Sequence, residues 1–166
     1  MKMNFSAEEI FQIGIEIEKN GKHFYESAAN VEQDEDMKKL FAELSSWESG
    51  HVEIFEDLKK GLQDQKQDDM TNDIEDQYYR YLKAMADDHV FIINNDVLDL
   101  ITTCEDSVDV LKMALRFEKD SVVLYAAMKK VVPEHLGRDM IDNLINEEIS
   151  HVAMISEKIK GMKNKA

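Results

Sequence analysis

Apolar residues return every three or four positions along most of the chain, the spacing that lines one face of an α-helix. Ile10, Ile13, Ile17, Phe24 and Ala28 carry the pattern first. Ser6 precedes them, and Glu9 three residues on completes the capping-box signature of a helix start. The polar run "NVEQDED" breaks the pattern at 30–36, and Met37, Leu40, Phe41, Leu44, Ile54, Phe55 and Leu58 resume it in a second helix. That helix should stop near Gly61. A charged, core-free connection follows at 63–73, then the amphipathic "IEDQYYRYLKAMA", expected to be helical and to lie across the other helices. Residues 90–104 suit a short helix or an extended segment. A third helix is expected from Asp106 or Ser107, carrying Val110, Leu111, Ala114, Leu115, Phe117, Leu124 and Met128. Pro133 ends it, and a fourth runs from about Arg138 to near Gly161. The expectation is an all-α domain over 1–166: a hairpin at 5–61, a crossover at 62–105 and a second hairpin at 106–163.

The second hairpin repeats the first. Shifted by 100 positions without a gap, Glu18 falls on Glu118, Lys19 on Lys119, Tyr25 on Tyr125 and Val31 on Val131. Leu44 falls on Leu144, Glu48 on Glu148, His51 on His151, Val52 on Val152, and Lys60–Gly61 on Lys160–Gly161. Matching chemical types across two whole hairpins point to an internal duplication. It also duplicates one phrase, Glu-x-x-His, as Glu48 with His51 and Glu148 with His151.

Glu18 and Glu48 lie at equal distances from the break near residue 33, as Glu118 and Glu148 do from Pro133. In an antiparallel hairpin such residues meet at one height, about 22 Å from the turn. Glu and His at i, i+3 share a helix face. Pairing the hairpins therefore gathers four carboxylates and two imidazoles in one layer. Four buried carboxylates repel and cannot all stay ionised without cations. Two divalent ions would neutralise them, and oxygen ligands with one imidazole per ion suit iron or manganese, with zinc as a competitor. Gly14 and Gly21, matched by Ala114 and Ser121, flank the acids on the same face and leave room for ions and an oxygen ligand. Tyr25 and Tyr125 each lie seven residues after an acid. They are either donors to ligand carboxylates or ordinary core residues.

Composition narrows the function classes. The net charge of −15 opposes binding to nucleic acid or an anionic membrane surface. The lone Cys104 allows no internal disulfide and no thiolate metal centre, in keeping with a reducing compartment. The opening stretch "MKMNFSAEEIFQIGIEI" has neither the apolar run nor the cleavage site of a signal peptide. No apolar segment approaches the ~20 residues of a membrane span. A soluble cytoplasmic protein is expected. His23, His89 and His135 lack ligand spacing and are expected at the surface, and the ten Met are expected to fill core.

One Glu from each of two helices, with Glu-x-x-His from each of the other two, is the ferritin-like di-iron carboxylate pattern. The phrases "IEIEKNGKHFYESAA" and "LRFEKDSVVLYAAM" resemble the first and third helices of rubrerythrins. The resemblance covers both hairpins. It implies a ferritin-like four-helix bundle with Glu18, Glu48, His51, Glu118, Glu148 and His151 as ligands of two iron ions, Glu48 and Glu148 being the candidates to bridge. It further implies a di-iron oxidoreductase that reduces hydrogen peroxide or dioxygen, with electrons from an external rubredoxin-like donor. A homodimer is expected, the hairpins pairing within one chain or exchanged between two. Ferroxidase activity, with Fe(II) as substrate, and a non-enzymatic metal-binding bundle are the alternative readings. Two features depart from rubrerythrins: Ser121 stands where an additional Glu is usual, and one Cys cannot supply a rubredoxin domain.

Overall fold

The computed structural model describes residues 6–62, 77–78, 80–85 and 96–164. Among them the chain is a helical bundle without strands. Helices α1 (Ala7–Val31) and α2 (Glu35–Gly61) form the first hairpin. A short helix, α3 (Asp96–Thr102), lies against α1. Helices α4 (Ser107–Val131) and α5 (Arg138–Lys163) form the second hairpin, and the two hairpins pair within one chain. Residues 80–85 are helical and bury Leu82 in the core, while the expectations for 63–76 and 86–95 fall outside the described residues.

Each helix starts where the chemistry of its cap allows. Ser6 Oγ accepts from Glu9 N–H at 3.2 Å, and Glu9 Oε2 accepts in return from Ser6 N–H at 2.7 Å. Asp34 caps α2 by accepting from the amides of Asp36 and Met37, and Asp106 caps α4 by accepting from Asp109. Such caps stabilise a helix by about 1 kcal/mol each. The start of α5 is different. Pro133 opens a 3₁₀ turn over Glu134–Leu136, and Gly137 follows at φ +98°, a left-handed conformation that costs a side-chain-bearing residue energy. Glycine is doubly required there, because a Cβ would run into Leu58 of α2.

Contacts between the helices fix their register. The place a Cβ would take on Gly14 is filled by the ring of Phe55, and that on Gly21 by the carboxylate of Glu48, so α1 and α2 run antiparallel. Tyr25 reaches Glu118 and Tyr125 reaches Glu18, so α1 and α4 are antiparallel too. The core consequently falls into two apolar clusters. One holds Ile10, Phe11, Phe55, Leu124, Met128, Ile141 and Leu144, where the start of α1 meets the end of α4. The other holds Phe24, Met37, Phe41, Val110, Leu111 and Ile155, and is joined by Val97 and Ile101 of α3. Each fully buried Phe or Leu stabilises the fold by roughly 1.5–3 kcal/mol. Between the clusters lies a polar layer.

Candidate metal centre

Every buried Glu and His among the described residues belongs to that layer: Glu18, Glu48, His51, Glu118, Glu148 and His151. None is more than 6% exposed, so charge is concentrated at one level of the bundle and absent from the apolar cores. Each helix of the two hairpins delivers its share from one face. The structure thus brings together all six side chains that the repeat selects.

The six form two overlapping groups. Ligand atoms of Glu18, Glu48, His51 and Glu148 all lie within 4.8 Å of one another, and so do those of Glu48, Glu118, Glu148 and His151. Glu48 and Glu148 belong to both. His51 Nδ1 is 2.9 Å from Glu148 Oε1 and 3.4 Å from Glu18 Oε2. His151 Nδ1 is 3.1 Å from Glu148 Oε2 and 3.5 Å from Glu118 Oε2. The same nitrogen of each ring thus faces the carboxylates, and the rings lie nearly parallel with centroids 5.7 Å apart.

The donor set fits two hard divalent cations. Glu48 Oε1, His51 Nδ1 and Glu148 Oε1 are buried without a hydrogen-bond partner, which is costly for polar atoms unless something else binds them. His51 Nδ1 and Glu148 Oε1 approach to 2.9 Å yet are not aligned as donor and acceptor, so one cation could take both as ligands. Gly21 supplies a cradle: a Cβ there would lie 2.9 Å from Glu48 Oε2 and displace it. Gly14, by contrast, makes room for Phe55 and none for ions.

The electrostatics describe a cluster that holds protons. Burial pushes the Glu48 carboxyl well above its usual range, and Glu18 beside it adds to the effect. Burial likewise raises Glu118, to about 7, against the opposing pull of His151. Burial disfavours both imidazolium ions, but the neighbouring carboxylates of Glu148 and Glu18 lift His51 to about 11, and those of Glu118 and Glu148 lift His151 to about 9. Burial would raise Glu148, yet the hydrogen bond from His151 and the nearby His51 ring hold it below the usual range. Two divalent ions at +4 would replace these protons against four carboxylates at −4.

The tyrosines tie the hairpins together at this level. Tyr25 donates to Glu118 Oε1 and Tyr125 donates to Glu18 Oε1, each across to the other hairpin. Burial raises both phenols, and Glu118 and Glu18 reinforce the shift, so the hydroxyls remain donors. A cavity of about 40 Å³, measured to the centres of water-sized molecules, adjoins Glu48 and Glu118. Gly21 and Ser121 line it, Phe117 and Leu100 close it with apolar surface, and exposed His23 also borders it. Asn20 Nδ2 borders the cavity, buried and unpartnered. Nothing in the spacing of Asn20 marks it in the sequence.

Two further contacts lie beyond what helical spacing reveals. Glu147 Oε2 meets His51 Nε2 at 2.8 Å, on the ring edge turned away from the acids. Trp47 stacks on the His151 ring, with centroids 4.9 Å apart and planes 8° from parallel. In the sequence they show only as the pairing of Trp47 with Glu147, one of several mismatches between 44–52 and 144–152. No protein-family model matches the chain, and no curated protein or solved structure matches it.

Proposed function

We propose that the protein is a rubrerythrin-like, ferritin-like di-iron oxidoreductase that reduces hydrogen peroxide or dioxygen. One observation carries this reading: two buried groups of three carboxylates and one imidazole share Glu48 and Glu148. Glu18, Glu48, His51 and Glu148 would hold one ion, and Glu48, Glu118, Glu148 and His151 the other. A ferrous pair supplies two electrons, enough with two protons to take one peroxide to two waters. Manganese or zinc would suit the same ligands, but zinc would supply no electrons.

The rest of the chemistry belongs to the chain. The apolar clusters on either side keep bulk water from the layer and raise the strength of every charge interaction inside it. Tyr25 and Tyr125 hold Glu118 and Glu18 in place as the charge between the carboxylates changes. Asn20 offers an amide donor to an oxygen-rich ligand in the cavity. At roughly 10–15 Å³ for each water, the 40 Å³ cavity takes about three water-sized molecules. That suits peroxide or dioxygen. The oxidised pair would be returned to the ferrous state by an external rubredoxin-like donor, since one Cys cannot build an internal one.

The test is anaerobic loading with Fe(II), counting metal per chain, then following the absorption spectrum as peroxide is added. About two irons per chain and rapid oxidation by one peroxide, reversed by a reductant, is the expected result. Iron that ignores peroxide but consumes dioxygen with many Fe(II) per chain would shift the assignment to a ferroxidase. Failure to bind any metal would overturn the reading.

A further inference from the structure

We propose that the two ion positions are unequal and that Glu147 decides which is filled first. The inference rests on the two-ion reading above and concerns the supports behind the two imidazoles. In the repeat these supports come from one position, 47 or 147, and that position holds an indole in one hairpin and a carboxylate in the other.

Glu147 reaches from α5 to the far ring edge of His51 in α2, where its Oε2 lies 2.8 Å from Nε2. Its side chain is 55% exposed, while that of His51 is 2% exposed, so a rim carboxylate orients a buried ring. An ionised carboxylate only accepts hydrogen bonds, and so Nε2 must carry the hydrogen. In the neutral ring that a metal would bind, the lone pair is then on Nδ1, the nitrogen that faces Glu18 and Glu148. A carboxylate behind a ligand imidazole also fixes the ring plane and makes the ligand more basic. The effect is typically worth about 10–100-fold in metal affinity.

Among the described residues His151 has no such partner. No carboxylate among them pairs with its Nε2; Trp47 lies flat against the ring instead. An indole N–H is a donor only, so it cannot accept from Nε2–H. Trp47 holds the plane of the ring and leaves its tautomer unset. Glu147 is therefore a positioning residue for the position of Glu18, Glu48, His51 and Glu148, which takes the first ion. The position of Glu48, Glu118, Glu148 and His151 takes the second, more weakly.

Trp47 also makes the order measurable. It is the only Trp in the chain and touches the ring of the second position, so its fluorescence reports filling there. Metal-free protein is titrated anaerobically with Co(II) alone, by calorimetry and Trp emission together. Two steps at least tenfold apart in affinity are expected, with most quenching in the second. Glu147→Ala, at a half-exposed helical position, should weaken the first step by about 10–100-fold and leave two ions per chain. Glu147→Gln, which keeps an acceptor but loses the charge, should fall between. Two equal steps in the wild type, quenching concentrated in the first step, or an unchanged first step in Glu147→Ala would each overturn the inference while leaving the two-ion reading intact. Fewer than two ions in the wild type would overturn both.

Discussion

The two hairpins share a pattern of burial more closely than they share residues. The pattern of buried and exposed positions is identical at 21–30 and 121–130, although of these ten positions only Tyr25 keeps its residue type, as Tyr125. They are identical again at 51–57 and 151–157. At the turns the hairpins diverge: Asp34 caps α2 three residues after Val31, whereas the second uses Pro133, a 3₁₀ turn and left-handed Gly137. They diverge at or beside the polar layer as well, in Gly14 against Ala114, Gly21 against Ser121 and Trp47 against Glu147. Duplication preserved the faces that had to be buried and the acids they deliver. The differences at this layer matter most, since there the two copies do different jobs.

The largest expected effect tests what the hairpins share. Glu48→Ala and Glu148→Ala should each reduce bound metal from about two ions to less than one per chain, because both residues serve both groups. His151→Ala should lose one ion only. Metal analysis after gel filtration distinguishes these, and a full complement in Glu48→Ala would contradict the shared role.

Next comes pH. In the metal-free protein both imidazoles have folded pKa values raised above the ordinary 6.5, so each stabilises the fold fully below 6.5 and loses that contribution as pH rises through its folded value. The contribution of His151 should be lost first, because His151 stands at about 9 and His51 at about 11. The raised carboxyl of Glu48 acts in the same direction. The melting temperature of chelator-treated protein should therefore fall between pH 6.5 and 9 and continue to fall towards 11. Metal affinity should rise over the same range as protons leave the ligands. A metal-free melting temperature that climbs with pH would contradict the cluster's protonation.

Smaller effects probe the differences. Gly14→Ala places a Cβ 2.6 Å from the Phe55 ring and should destabilise the protein by about 1–3 kcal/mol, even though Ala114 carries the same methyl without harm. Denaturant melts measure it. Gly21→Ala should instead leave stability near the wild type, since Ala gains up to about 1 kcal/mol of helix propensity. It pushes against Glu48 Oε2 and should weaken ion binding by about tenfold, roughly 1.4 kcal/mol. Ser121→Ala, at a position that already has a Cβ, should change affinity little. Equal effects at 21 and 121 would remove the distinction between the hairpins.

Much of this was legible in the sequence. Periodicity marked the four long helices, Ser6 with Glu9 marked the first start, and the polar run and Pro133 marked the turns. The offset of 100 selected Glu18, Glu48, His51, Glu118, Glu148 and His151 before any coordinate was needed, because a duplicated chain must use the same faces twice. For 90–104 the sequence left helix and extended segment open, and packing of Val97 and Ile101 against the second cluster settled 96–102 as helix.

Tertiary structure decided what lies between helices. A period of 3.6 residues assigns each side chain to a face but sets neither the offset nor the rotation of one helix against another. Equal distances from the turn set Glu18 opposite Glu48; the packed helices set Gly21 opposite Glu48 and bring Glu18 within 3.4 Å of His51. That shift of about one helical turn follows from Phe55 filling the gap at Gly14, a fit that spacing cannot foresee. It also decided that each tyrosine serves the other hairpin's acid and that Glu147 serves the other hairpin's histidine. Such contacts join residues about 100 positions apart, and only the close packing of side chains chooses among the partners that the same faces allow.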